Sequence, residues 1–191
     1  MICDLMRHAK TKSNRDLVYA GRNEEPILHG AVDDLKRAAE GLSMVRHDCV
    51  YTSPLRRTRM TAKVIADFLS LEVLVAPELV ELDFGPWTGL TAEQISKRFP
   101  EQWKTWRADP FSARVSGMET LTEVQERVVS WLQRSSRITN RAVVVTHESV
   151  IKAVICRIDP RREQAYRRLT IENCSVTSIA VDDAGTIQRL C

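Results

Sequence analysis

No stretch of this sequence approaches the ~20 consecutive apolar residues that a bilayer-spanning helix requires. The first residues also lack the basic, apolar and small-residue succession of a secretion signal, so cytoplasm is the expected location. The five cysteines (Cys3, Cys49, Cys156, Cys174 and Cys191) are odd in number and include no CxxC pair. That argues against a disulfide framework and a zinc site. Cys3, Cys49 and Cys156 lie in apolar stretches and read as buried free thiols. Charge of one sign is scarce too. The 28 basic side chains exceed the 25 acidic ones by only three, too few to indicate a nucleic-acid or membrane partner. There is no internal repeat, low-complexity tract or long linker. No carboxylate cluster suited to a magnesium ion is evident, so neither metal nor cofactor is expected.

What is there fits one ordinary domain over residues 1–191, with 43% apolar and 28% charged residues. Strand-like runs alternate with helix-like ones. Ile2–Met6 is a candidate strand, residues Ala31–Leu42 a candidate helix, and Cys49–Thr52 a short β-prone run. Ser53-Pro54 then reads as N-cap and first position of a helix to about Leu69, followed by strand character over Leu71–Val75. Thr91–Gln94 and Thr120–Glu123 match the capping box. The second opens a helix with Leu121, Val124, Val128, Trp131 and Leu132 on one face. Ala142–Val145 has the unbroken apolar pattern of a strand covered on both faces, and Glu148–Arg157 is helical again. Cys174–Val181, a turn at Asp182-Asp183-Ala184-Gly185, and Thr186–Leu190 suggest a terminal hairpin. This alternation predicts an α/β fold, a three-layer α/β/α sandwich around a mostly parallel sheet.

In such sheets ligands bind beyond the carboxyl ends of the strands. Arg7 and His8 follow the first strand, Ser53 to Arg57 the second, and His147 the strand ending at Thr146. Glu81 lies in ELVELDFG, another short apolar segment that runs into a loop. Two arginines, two histidines and a carboxyl group collected at one rim suit phosphoryl chemistry. Guanidinium groups present fork-shaped donors to phosphate oxygens. An imidazole among cations stays neutral and keeps a lone pair for attack on phosphorus. A carboxylic acid beside it can protonate the leaving oxygen and then deprotonate water.

These segments resemble the ordered blocks of the histidine phosphatase (phosphoglycerate mutase-like) superfamily. LMRHAKTKSN is similar to its R-H-G-x-T-x-x-N signature, YTSPLRRTRMTA to S-x-L-x-R-x-x-x-T-A, and ELDFGPWTG to E-x-x-x-G-x-W-x-G. VVVTHES resembles the second-histidine element, and GRNEEPI the G-R-x-D-x-P-L stretch. The resemblance implies a phosphoglycerate mutase-like fold, with His8 as nucleophile and Glu81 as proton donor. It implies that Arg7, Asn14, Arg57 and His147 bind the phosphoryl group, and that Arg22 lies near the substrate. Ser116 to Thr120 resembles the G-E-S turn of the family's small phosphatases. Glu119 is accordingly placed near the pocket mouth, with capping of the following helix as the other role.

Departures from the pattern leave substrate identity open. Ala9 replaces a glycine, Asn23-Glu24-Glu25 and Ile27-Leu28-His29 differ from the family wording, and Glu148 follows the second histidine where glycine is common. Trp87, Trp103 and Trp106, with Phe99 and Phe111, sit in a helical, aromatic insertion at about 84–118. They form either a lid or a satellite core. His29 and His47 read as surface or structural, and Arg161, Arg162, Arg167 and Arg168 as a solvated helix face.

The short chain, and the stretch from FPEQWKTW through GMET, resemble the α-ribazole phosphatase and broad-specificity phosphatase branch. The expectation is a metal-independent phosphomonoesterase acting on a small phosphorylated metabolite. Mutase-type transfer, hydrolysis of protein phosphohistidine and a non-enzymatic phosphate-binding role are the alternatives. The C-terminal hairpin would offer an edge for a homodimer.

Overall fold

The computed structural model describes residues 1–159, 166–182 and 185–190. A six-stranded sheet is built from β1 (Ile2–Arg7), β2 (Cys49–Thr52), β3 (Val73–Val75), β4 (Arg141–Thr146), β5 (Val176–Val181) and β6 (Ile187–Arg189). The strand order is β3-β2-β4-β1-β5-β6. The four strands from β3 to β1 run parallel, β5 pairs antiparallel with β1, and β6 antiparallel with β5. β4 lies between β1 and β2, and its residues Ala142 to Val145 are completely buried. At roughly 1.5–3 kcal/mol per fully buried large aliphatic side chain, its three valines anchor both faces.

The helices are α1 (Lys12–Arg15), α2 (Val32–Ser43), α3 (Arg56–Leu69), α4 (Ala92–Arg98), α5 (Pro100–Ala108), α6 (Leu121–Ser135) and α7 (Glu148–Ile158). Two hydrophobic clusters cover the two faces of the sheet. In one, Leu35, Ala39 and Leu42 of α2 and Ala62, Ile65 and Ala66 of α3 meet Met6, Val50, Val143 and Val145. In the other, α6 and α7 meet Cys3, Leu5, Tyr51, Ala142 and Val144. The alternation of neighbouring strand residues between clusters is the two-residue period of a strand. Among the described residues no helix is long and apolar enough to cross a membrane.

The aromatic insertion does not form a separate core. Trp87, Trp106 and Phe111 are buried in the same cluster as α6 and α7, and Trp103 and Phe99 pack against it. Trp87 contacts Trp103 and Trp106 edge to face, with ring centroids 5.9 and 5.8 Å apart. Several boundaries also differ from expectation. The third strand starts at Val73, after Ser70 ends the preceding helix with a left-handed φ of 56°, and the fifth at Val176, after Cys174 turns into the sheet with a left-handed φ of 61°. Arg161, Arg162, Asp183, Ala184 and Cys191 lie outside the described residues. Arg167 and Arg168 are exposed, and Arg167 donates to the Arg107 carbonyl.

Candidate active site

The parallel strands β1, β4 and β2 end level with one another, Arg7 beside Thr146 and Thr52 beside Val145. Their ladders run one residue further. His8 N–H donates to Thr146 O at 3.0 Å, and Ser53 N–H to Val145 O at 3.1 Å. Three consecutive backbones therefore deliver His8, His147 and Ser53 to one rim. The N-termini of α3 and α7 begin just beyond it and add the positive ends of their dipoles.

His8 is buried and its tautomer follows from its partners. Nδ1 lies 2.8 Å from the carbonyl of Ala9, which can only accept, so Nδ1 carries the proton. Nε2 is then the lone-pair atom, and Arg57 Nε–H donates to it at 3.2 Å. Burial, then the charges of Arg57 and Arg7, hold the imidazole well below its ordinary pKa; the Ala9 contact opposes this in part. Arg57 is itself fixed, donating to the carbonyls of Asn23 and Gly21 at 2.7 Å each. Ala9 N–H donates to Thr61 Oγ1 at 3.0 Å, and Thr61 Oγ1 donates to the Arg57 carbonyl at 2.8 Å. The α3 backbone is thereby joined to the turn after His8.

His147 is fully buried, and its ring centroid is 5.2 Å from that of His8. Its Nε2 bonds Ser53 Oγ at 2.8 Å. This corrects the expected role of Ser53. Its hydroxyl is engaged with His147, and α3 starts three residues later at Arg56 without a side-chain cap. Burial comes first, then the charge of Arg57, in depressing the His147 pKa. Arg7 Nη1 donates to Ile171 O at 2.6 Å and pairs with Glu148 Oε2 at 2.9 Å, while Glu148 Oε1 meets Lys152 at 2.6 Å. Among the described residues, Arg7 Nε and His147 Nδ1 are buried without a hydrogen-bond partner. Unpaired buried polar atoms are costly, and a phosphoryl oxygen would satisfy both.

Glu81 follows the turn Pro77–Leu79, and Thr146 Oγ1 ties that turn to the sheet by donating to Leu79 O at 2.8 Å. Buried Leu79 and Leu82 flank it. Burial raises the Glu81 pKa, with the charge of Arg57 opposing. Asn14 accepts from Thr11 N and from Asn173 Nδ2, both at 3.1 Å, and Asn173 Nδ2 also reaches the His8 carbonyl at 2.9 Å. Arg22 donates to the Glu81 carbonyl at 3.2 Å and to Glu119 Oε2 at 3.0 Å. Glu119 does not cap α6; Thr120 does so, in a capping box with Glu123. Among the described residues no group of three or more His, Cys, Asp or Glu is placed to hold a metal ion.

The structure thus brings Arg7, His8, Asn14, Arg57, Glu81 and His147 together at one rim of the sheet and ties Arg22 to Glu119 beside them. A neutral histidine whose lone pair faces a fixed guanidinium, next to a second histidine and a buried carboxyl group, is equipped for phosphoryl transfer. The sequence model of the histidine phosphatase superfamily (branch 1) matches residues 3–190. The chain belongs to this superfamily. It is 31% identical over 156 residues to phosphoserine phosphatase 1 of Hydrogenobacter thermophilus, spanning 81% of this chain and 74% of that protein. It is 27% identical to the adenosylcobalamin/alpha-ribazole phosphatase of Escherichia coli, over 81% of this chain and 77% of the other. The alpha-ribazole phosphatase from Shigella flexneri has the same fold, with a TM-score of 0.84 at 22% identity over 100% of this chain and 95% of that one. Both of these curated relatives are named as phosphatases.

Sequence reasoning missed Thr61, Asn173 and Arg127 as supporting residues. Thr61 carried a signal, since it stands one helical turn after Arg57 in the S-x-L-x-R-x-x-x-T-A element. Asn173 carried none, because only the return of the chain through Cys174, whose N–H donates to Arg7 O at 3.0 Å, brings it to His8.

Proposed function

We propose that this histidine phosphatase hydrolyses a small phosphomonoester through a phosphohistidine on His8. One observation carries the reading: His8 holds its proton on Nδ1 against Ala9 O and turns the Nε2 lone pair toward Arg57. When a phosphoryl group enters, Arg57, Arg7, His147 and Asn14 bind its oxygens. Nε2 attacks phosphorus, an N–P bond forms and the bond to the leaving oxygen breaks. Glu81, whose pKa burial raises toward that of a proton donor, gives that oxygen its proton. The resulting Glu81 carboxylate then takes a proton from water as the water oxygen attacks phosphorus. The N–P bond breaks, the electron pair returns to Nε2, and inorganic phosphate leaves. In this scheme Arg7, Arg57 and two helix N-termini carry the neutralising charge, without a metal ion.

The test is phosphate release, in EDTA, from a panel containing phosphoserine, α-ribazole phosphate, sugar phosphates and 3-phosphoglycerate. Wild-type release that disappears in His8→Ala, together with His8-dependent covalent labelling, supports the reading. Glu81→Gln is expected to slow release by roughly 10²–10⁴-fold while labelling remains detectable. Full activity in either variant refutes the assigned roles. Labelling by a bisphosphate without hydrolysis of any ester would favour mutase-type transfer instead.

A further inference from the structure

The segment that carries Glu81 is held by side chains from outside it. Arg127 of α6 donates to the Glu78 carbonyl, Arg22 to the Glu81 carbonyl, and Asp83 N–H to Glu119 Oε2 at 3.3 Å. Glu119 N–H returns the contact to Asp83 O at 2.9 Å. Glu119 is the hub of this arrangement. Arg127 grips both of its oxygens, Nε to Oε1 at 2.8 Å and Nη2 to Oε2 at 3.1 Å, and Arg22 adds a third cationic contact. The Glu119 and Arg127 side chains are only 14% and 18% exposed, so this pair is far less screened than an open surface ion pair.

Arg22 links this arrangement to the nucleophile. The carbonyls on either side of it, Gly21 O and Asn23 O, are the two that hold the Arg57 guanidinium. Its own side chain reaches the Glu81 carbonyl and Glu119. One three-residue segment thus fixes the cation facing His8 Nε2 and touches the loop that carries the acid. Gly21 makes the close passage possible: it has a φ of +52°, and a β-carbon there would meet Thr88 Oγ1 at 2.8 Å.

We propose that the Glu119–Arg127 pair, linked to Glu81 through Arg22, forms a positioning clamp that aligns Glu81 with the leaving oxygen and couples the acid to the His8–Arg57 pair. Glu119 then acts through Glu81 and does not contact the substrate. The inference rests on the assignment of Glu81 as general acid. A purely structural ion cluster would affect all substrates alike, whereas in the phosphorylating step, which kcat/KM reports, a clamp on the acid matters only when the leaving group needs a proton.

The experiment compares wild type, Glu119→Gln and Arg127→Met on 2,4-dinitrophenyl phosphate and on the best alkyl phosphate of the panel, with thermal unfolding of each protein alongside. The alkyl ester is expected to lose about 30-fold in kcat/KM and the dinitrophenyl ester about threefold or less, the scale that placement of a general acid controls. The loss should fall on kcat, and the basic limb of the alkyl pH profile should move. Equal losses on both esters, no loss, or a rise in KM alone would overturn the clamp. If Arg127→Met does not fold, Arg127→Lys keeps the charge without the two-pronged grip and should show a smaller loss of the same alkyl-selective kind. Wild-type inactivity on both esters would instead remove the underlying reading of Glu81, an outcome distinct from equal losses in active variants.

Discussion

Arg57 Nε stands 3.2 Å from His8 Nε2, a cation donating to the lone pair of the proposed nucleophile. The contact aims the imidazole and helps keep it unprotonated, but it also covers the atom that must attack. Entry of a phosphoryl group resolves the conflict, because a phosphate oxygen is a stronger acceptor for the guanidinium than a neutral ring nitrogen.

Arg57→Met removes both effects. It is expected to lower kcat/KM by about 100-fold or more, roughly 2.7 kcal/mol of transition-state stabilisation. It also removes a like charge that disfavours imidazolium, so the His8 pKa rises. The acid limb of the kcat/KM profile should therefore move to higher pH. A limb left in place would show that burial and Arg7 keep His8 neutral without Arg57.

The two buried histidines also govern stability. Folded His8 and His147 titrate well below their ordinary 6.5, so below that pH the unfolded chain binds protons that the native one does not. Each therefore removes about 1.4 kcal/mol of stability per pH unit as pH falls. Glu81 opposes them. Its raised folded pKa makes the native state bind the extra proton above 4.5, and this lowers stability as pH rises. With two groups against one, the net loss on acidification should approach about 1.4 kcal/mol per unit well below 6.5. Denaturant unfolding between pH ~7 and ~5.5 measures it, and His147→Asn should flatten it. A flat wild-type curve would contradict the neutral assignment of both rings.

How far the site was legible depended on where each residue's partners lie in the chain. His8, His147 and Arg57 sit within a few residues of a strand end, so the local pattern and the parallel-sheet rule locate them. Ser53 was misread because Ser-Pro is a good local helix start, yet a histidine 94 residues away holds its hydroxyl. Glu119 and Arg22 are 97 residues apart in sequence and meet only because the insertion closes on itself beside Glu81. The aromatic residues read as lid or satellite because composition cannot say which surface they pack on. The sheet's parallel part followed from the alternation of elements, while the antiparallel return of β5 onto β1 set the place of Asn173.

His47, with no motif around it, proves to be buried at the far end of β1. Its Nε2 lies 2.8 Å from Asp4 Oδ2, and Arg141 Nε and Ser178 Oγ donate to the same carboxylate at 3.0 and 2.5 Å. Burial raises the Asp4 pKa, but these contacts outweigh it and bring it down to about 2. The folded value lies below the unfolded one, so this stabilisation is present above the ordinary 3.8 and lost as pH falls toward about 2. Asp4→Asn is expected to cost about 2–4 kcal/mol near neutral pH, because it breaks a buried pair by removing one partner. Asp4 precedes His8 by four residues on the opposite side of the sheet's length, so kcat/KM should stay within about twofold. Denaturant titration and steady-state assay together check this. A large loss of activity in a folded Asp4→Asn protein would show that the two ends of β1 are coupled.

Gly85 tests the closure of the insertion. Its φ is +49°, and a β-carbon there would stand 2.2 Å from the carbonyl oxygen of Gly117 and 2.6 Å from its carbon. Both atoms belong to backbone, so no side chain can swing aside. Gly89 has a φ of +82° but nothing within 4 Å of its would-be β-carbon. The pair separates steric exclusion from backbone strain. Gly89→Ala should cost about 1 kcal/mol, from the left-handed conformation alone. Gly85→Ala should cost about 3 kcal/mol or more, since strain and backbone displacement add. The displaced chain continues through Glu119, whose N–H bonds Asp83 O two residues beyond Glu81. Gly85→Ala is therefore expected to slow alkyl phosphate hydrolysis as well as lower the unfolding midpoint, while Gly89→Ala lowers the midpoint alone. Equal midpoint shifts in the two variants would mean that the Gly85–Gly117 approach relaxes freely and does not hold the acid loop in place.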